Sequence, residues 1–273
     1  GVVYAPVTAE GHIDMKTLPT LLNEKTVLVT LAYINSEVGT ITRAREVRRV
    51  LERYNDTNGT QIILHLDAAQ APLWLHCELS RLGADLLSLD AGKFCGPKGC
   101  GVLAMQKNIK LQPILQGGGQ EAGLRSGTEP IPLVVGTAIA LELVQDDREE
   151  RAARVAELRD YFLTQLTKQI PQAIVNGPLG DARSPNNVHI SILGLDSEYA
   201  VVVLDTAGIS ASTKSACSSK GGGASAVVLA MTDDLPRASS TLRFTLGPNT
   251  TKSDIDRTIS VLAEYLKKFN IEK

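Results

Sequence analysis

The chain has 273 residues, of which 43% are apolar and 21% charged, and its formal net charge is -2. That composition supports a buried core, excludes disorder and offers no basic excess of the kind that holds nucleic acid. No run reaches the about 18 to 20 apolar residues of a membrane span, and GVVYAPV lacks the basic-then-apolar order of a secretory leader, so the expectation is a soluble, cytoplasmic chain without a membrane partner.

The first seven residues, GVVYAPV, read as a buried strand that starts without an initiator Met. The expectation is that an N-terminal portion of the fold precedes them. VLVTLAYI (27–34), IILHLDA (62–68) and DLLSLDA (85–91) are apolar or β-branched runs of strand length. Between the first two lies ITRAREVRRVLERYN, where Val47, Val50 and Leu51 recur at helical spacing. GVLAMQ (101–106) is a fourth strand after the turn GPKGCG. Strand and helix alternate as they do in a mainly parallel α/β sheet flanked by helices.

From Pro132 to about Ile170 the pattern is one long helical stretch, apolar first and charged later, of the kind that crosses between domains. Beyond it come AIVNG, NNVHISIL, the helix SEYAVVVLDTAG, a strand ISAST, a Gly/Ser loop, TLRFTLG and an amphipathic helix from Lys252 to Phe269. The spacing suits a smaller α+β domain. The expected division is 1–145 for part of a large domain and 146–273 for a small one.

Ligands of open α/β sheets sit at the carboxyl ends of strands, which directs attention to Asp67 and Lys93. Asp67 ends HLDA, where a carboxylate either caps a local turn or faces a cationic ligand. Lys93, in LDAGKFCGPKG, lies just beyond the next strand, flanked by the glycines at 92 and 96. It is either a solvated loop lysine or, if partly buried, an amine ready for Schiff-base chemistry. Together on consecutive strand ends they match the needs of an aldehyde cofactor with a pyridinium nitrogen. GGGQEAGLRSGT (117–128), with Arg125, is either an ordinary flexible loop or a phosphate contact.

Among the cysteines, Cys77, Cys95 and Cys100 read as small core or boundary residues, and all four thiols are expected to be reduced. The four His residues (12, 65, 76 and 189) form no close pair, so no metal site is expected. Cys217 is different, because it opens a loop of Ser, Lys and Gly between Lys214 and Lys220, cations that favour the thiolate. Arg243, within TLRFTLG, suits bidentate capture of a carboxylate or serves as an edge-strand charge.

Taken in order, NSEVGTI, HLDAAQ, GKFCGPKG, GGGQEAGLRSGTEP, SPNNVHIS, SACSS and STLRFTLG resemble the motifs of cysteine desulfurases of the NifS/IscS type, class-V fold-type I enzymes that use pyridoxal 5'-phosphate. The resemblance covers essentially the whole chain. It implies Lys93 as the Schiff-base lysine, Asp67 as the partner of the pyridine nitrogen and Gln70 as the partner of the phenolic oxygen. Thr128 would reach the cofactor phosphate of a neighbouring subunit, which implies a homodimer. Cys217 would be the catalytic nucleophile that takes sulfur from L-cysteine as a persulfide, releasing alanine, and Arg243 the anchor of the substrate carboxylate. The SACSS context implies delivery to an iron-sulfur scaffold or another acceptor protein.

Some positions depart from the family pattern. Ser36 stands where the family has a cofactor-contacting asparagine, with Asn35 one residue earlier. Asp90, Ala91 and Gly92 replace the usual Ser-x-His, and an Asp at 90 would repel phosphate if it pointed inward. No match is present to the family's N-terminal phosphate loop or to its ring-stacking histidine. Two other readings stand beside the desulfurase: a truncated, non-catalytic binding or sulfur-acceptor protein, and a selenocysteine lyase. An aminotransferase would have no use for Cys217.

Overall fold

The computed structural model describes residues 1–213 and 223–271. The chain divides into two compact units, one formed by Gly1–Leu21, Ile34–Thr42 and Glu149–Lys273, the other by Leu22–Tyr33 and Arg43–Arg148. Helix α1 (Leu18–Leu21) belongs to the first. Among the described residues no helix is long and apolar enough to cross a membrane.

The Leu22–Tyr33/Arg43–Arg148 unit is built on a four-stranded sheet in the order β1 (Leu28–Ala32), β2 (Ile63–Asp67), β3 (Leu86–Asp90), β4 (Gly101–Met105). The first three strands are parallel and β4 pairs antiparallel to β3. Helix α2 (Ala44–Asn58), whose Val47 and Leu51 are fully buried, packs on β2, itself anchored by Leu64 and Leu66. Burying each such side chain contributes about 1.5–3 kcal/mol. Gly59, in the left-handed region at φ 66°, ends α2 by donating its N–H to the Asn55 carbonyl, a C-terminal stop that glycine adopts without Cβ strain. α3 (Leu79–Leu82) leads into β3, and α4 (Ile131–Asp146) closes the unit.

The period-two alternation of β2 places Ile63, His65 and Asp67 on the face opposite Leu64 and Leu66. On that face Thr30 Oγ1 meets His65 Nδ1 at 2.7 Å and His65 Nε2 meets Ser88 Oγ at 3.2 Å, a polar row across three strands. This face is the more open one in the described residues: Leu28 on β1 is 45% exposed and Leu103 on β4 52%.

The other unit holds a three-stranded antiparallel sheet, β5 (Ile174–Val175), β6 (Asn187–Ser191) and β7 (Thr241–Thr245). Around it lie α5 (Arg148–Gln169), α6 (Ser197–Thr206), α7 (Ala226–Thr232), α8 (Leu235–Ser239) and α9 (Lys252–Lys268). Every residue of β6 is buried, and Phe244 of β7 meets Phe162 of α5 with ring centroids 5.3 Å apart. Thr251 opens α9 with a reciprocal capping box to Asp254.

Three expectations change. GVVYAPV forms no strand: Val7 makes one bridge to Ile13, while Val2 and Tyr4 are 81% and 89% exposed. Pro6 has no N–H for a ladder, and no neighbouring strand runs beside the segment in the described residues. ISAST likewise contributes only the bridge Ser212↔Arg243 among the described residues. The stretch 132–170 is two helices, because Asp147 leaves helical geometry (φ -98°, ψ 13°) and Glu149 and Glu150 favour a new helix N-terminus.

Candidate functional site

Asp67 and Lys93 stand at neighbouring strand ends of one sheet. β2 and β3 are adjacent and parallel, with Asp67 in register with Ser88, so both chains emerge at the same carboxyl edge. Asp67 is exposed, and its Oδ1 accepts from the Ala69 N–H at 3.0 Å. The turn-capping reading is met by one oxygen, and among the described residues Oδ2 is left for a further partner. Gln70 is half-buried in the turn closed by the Ala71 N–H donating to the Ala68 carbonyl.

Lys93 ends a single 3-10 turn, Ala91–Lys93, that begins where β3 stops. Its neighbours Ala91 and Phe94 are fully buried and act as anchors, while Lys93 itself is exposed rather than partly buried. A Cβ on Gly96 would lie 3.0 Å from the Ala91 carbonyl oxygen and 3.3 Å from the Ala140 Cβ, so glycine is what lets the following chain fold back against the turn. Asp90 caps this turn, its Oδ1 accepting from the Gly92 N–H at 3.0 Å. One oxygen of the carboxylate that threatens a phosphate in the sequence reading is thus engaged in holding the lysine turn.

The remaining residues of this unit lie apart from that edge along the chain. Thr128 is exposed at the end of the glycine segment, where Arg125 donates to the Ser126 carbonyl at 2.8 Å. Cys95 is exposed with left-handed backbone (φ 65°), which corrects its reading as a core or boundary residue. Cys77 is the sheltered thiol, its pKa pushed up to about 12 by burial, and so inert as a nucleophile at neutral pH.

Arg243 and Ser36 meet in the other unit. Segment 34–42 is a tight loop in which Ile34 bridges Ile41 and the Asn35 side chain accepts from the N–H groups of Glu37 (2.9 Å) and Val38 (3.0 Å). At its tip the exposed Ser36 presents its carbonyl to Arg243 NH1 at 2.7 Å. Arg243 Nε is buried without a hydrogen-bond partner among the described residues, and burial lowers the guanidinium's pKa, partly offset by the nearby Glu37 carboxylate.

Opposite Arg243 across the β6–β7 ladder is His189, fully buried and held neutral with a pKa of about 3, chiefly by desolvation and then by the surrounding arginines. Arg237 Nε donates to Asn176 Oδ1 at 2.8 Å, so the Asn176 amide nitrogen faces His189 Nδ1 at 3.0 Å and the ring proton lies on Nε2. Beneath this row, Arg183 donates to the carbonyls of Pro178 and Asn176 and to Asn187 Oδ1, and Arg159 donates to the carbonyl of Arg183. The motifs assign no role to Glu37, Arg183, Asn187 or His189. The signal available for them was position alone: Glu37 lies inside NSEVGTI, Asn187 and His189 inside SPNNVHIS, and Arg183 immediately before it. Cys217, with Lys214 and Lys220, lies outside the described residues.

A family model described as aminotransferase class-V matches residues 1–258. The chain belongs to this family. The class-V chain is 36% identical over 267 residues to the cysteine desulfurase IscS of Dictyoglomus turgidum, covering 98% of itself and 66% of that relative. It superposes on a NifS-like protein with a TM-score of 0.87 at 31% identity, covering 98% of itself and 68% of that structure. A structure described as SspA in complex with cysteine matches with a TM-score of 0.69 at 26% identity, over 92% of this chain and 67% of that one. The chain therefore spans just under two thirds of the length of the Dictyoglomus relative. The mixed sheet with flanking helices is that of the fold-type I enzymes, whose class-V members use pyridoxal phosphate. The strand-end pair suits that group in placement, an amine on a pinned turn and a carboxylate with one oxygen uncommitted among the described residues sharing one sheet edge, while Lys93 lacks the burial that the Schiff-base reading expects.

Proposed function

We propose that this class-V chain carries the chemistry of a cysteine desulfurase. The observation that carries the reading is Asp67 and Lys93 together at the carboxyl edge of adjacent parallel strands, in a chain whose relatives are named for that reaction. Lys93 would bind the cofactor aldehyde, Asp67 its pyridine nitrogen, Gln70 its phenolic oxygen, Ser36 its surroundings, and Thr128 the phosphate bound by a second copy in a homodimer. Pyridoxal phosphate, when bound, supplies an electron sink for the bond-breaking at the amino acid.

The chain's own residues then divide the work. Arg243 holds the carboxylate of L-cysteine through the guanidinium edge that Ser36 leaves unused. Asp67 would favour the protonated form of the ring nitrogen, and the Lys93 amine would carry the α-proton. The Cys217 thiolate attacks the substrate sulfur; the new S–S bond forms as the carbon–sulfur bond breaks, and alanine leaves after protonation. The persulfide on Cys217 passes to an iron-sulfur scaffold or another acceptor protein in the cytoplasm.

The test uses the full-length protein with added pyridoxal phosphate. Cys217→Ser is expected to keep the visible absorbance of lysine-bound cofactor and to lose all persulfide label from cysteine. Wild-type protein that develops no such absorbance overturns the reading, and label that persists in Cys217→Ser moves the nucleophile elsewhere.

A further inference from the structure

Arg243 is held by something that neither the motifs nor the family role explains. A guanidinium that captures a carboxylate with two parallel N–H groups needs its plane fixed, since the fork geometry is the source of the specificity. Among the described residues the side-chain contact that fixes it is one backbone oxygen, the Ser36 carbonyl, on an exposed residue. A backbone oxygen positions only as well as its own loop is positioned.

Several contacts fasten that loop, among them the Ser184 N–H donating to the Gly39 carbonyl at 2.7 Å and the Thr40 hydroxyl donating to the Glu10 carbonyl at 2.7 Å, and three more lie closest to Ser36. The Glu37 side chain is buried at 4% exposure, and its Oε2 accepts from Ser225 Oγ at 2.6 Å, 188 positions away in sequence. The Glu37 carbonyl accepts from Asn187 Nδ2 at 2.7 Å. Gly39, at φ 75°, lies so close to Asn187 that a Cβ there would come within 2.7 Å of its side chain. Ser225 has a second duty: its hydroxyl oxygen accepts from the Val228 N–H at 3.1 Å and caps α7. One hydroxyl therefore joins the start of α7 to the residue next to the Arg243 acceptor.

We propose that Glu37 is a positioning residue for substrate binding: its carboxylate, pinned by Ser225, holds the 35–40 turn so that the Ser36 carbonyl orients the Arg243 guanidinium toward the carboxylate of an α-amino acid. The proposal rests on the reading of Arg243 as the substrate anchor. Glu37 touches neither substrate nor cofactor in this role. Burying a carboxylate is costly unless it is bonded, and a side chain needed only to fill space at position 37 would be apolar, as its buried neighbour Val38 is.

The experiment compares Glu37→Ala, Glu37→Gln and Ser225→Ala in the full-length protein loaded with pyridoxal phosphate. Two readouts are taken: KM and kcat for L-cysteine, and the dissociation constant of L-alanine from its perturbation of the cofactor absorbance. Glu37→Ala is expected to raise KM and the alanine constant by about tenfold while kcat stays within about threefold, the signature of lost ground-state binding. Glu37→Gln keeps an oxygen for Ser225 and is expected to restore both constants to within about threefold of wild type. Ser225→Ala is expected to fall between them. A Glu37→Ala protein with unchanged alanine binding overturns the proposal, as does a Glu37→Gln protein as impaired as Glu37→Ala. If wild-type protein binds alanine but does not turn over cysteine, the desulfurase reading fails while the alanine constants still decide the role of Glu37.

Discussion

The carboxyl edge of the parallel sheet and the surroundings of Arg243 solve opposite problems. At the sheet edge Asp67 and Lys93 are exposed, and among the described residues the carboxylates are tied to their own turns: Asp67 to Ala69, half-buried Asp90 to Gly92, with Lys93 at the tip. Around Arg243 the polar groups are buried and tied across long stretches of chain, Glu37 to Ser225 and Arg159 to Arg183. The difference teaches where rigidity is supplied. The lysine proposed to bond and release is left free on an anchored turn, whereas the arginine proposed to hold a fixed plane sits in a network whose every member costs free energy if left unpaired.

Removing the exposed group should separate function from folding most sharply. Lys93→Ala is expected to abolish the lysine-bound cofactor absorbance and to lower kcat/KM by about a thousandfold or more. Because the side chain is exposed, stability in urea unfolding should stay within about 0.5 kcal/mol of wild type. A large loss of stability would end the contrast with the buried network.

The converse change is Arg183→Met. It leaves the carbonyls of Pro178 and Asn176 and the Asn187 side chain without their buried donor. The expected cost in urea unfolding is about 3–5 kcal/mol. A smaller cost would mean that water replaces the guanidinium, and the network would then be less dry than its burial indicates.

His189 sharpens the same point through pH. Its folded pKa of about 3 lies below the ordinary 6.5, so above pH 6.5 both folded and unfolded chains hold it neutral and nothing is lost. As pH falls from 6.5 toward 3 only the unfolded chain takes the proton, and stability should fall by about 1.4 kcal/mol per pH unit from this residue alone. His189→Asn should flatten that slope in urea titrations between those pH values. Parallel slopes in the two proteins would show that His189 is reached by water.

Thr30→Val should matter least. It removes the contact of 2.7 Å to His65 Nδ1 on the open face of the four-stranded sheet. The expected loss in urea unfolding is about 0.5 kcal/mol. A loss several times larger would place that face among the buried networks.

Much of the sheet edge is legible in the chain. The runs at 62–68 and 85–91 fold as Ile63–Asp67 and Leu86–Asp90, and the reactive side chains fall at their ends because an apolar run must stop where it leaves the core. GVVYAPV looks like a strand and is not, because β-branched residues favour a strand but do not provide its neighbour; ISAST does meet β7, but through one bridge among the described residues. Glu37, Arg183 and His189 escape a reading of the chain because a polar residue in a sequence looks solvated by default. The signal that they are buried lies in residues elsewhere along the chain that supply their hydrogen bonds.

The sequence by itself determined the alternating α/β pattern, the strand ends bearing Asp67 and Lys93, and the chemical types available there, because periodicity and residue chemistry are local properties. Only the tertiary structure decided that Asp90 caps a turn, that Ser36 offers Arg243 its carbonyl, and that Glu37 finds Ser225 across 188 positions. Those outcomes depend on which donors and acceptors are brought together when water is excluded, and no local pattern records that pairing.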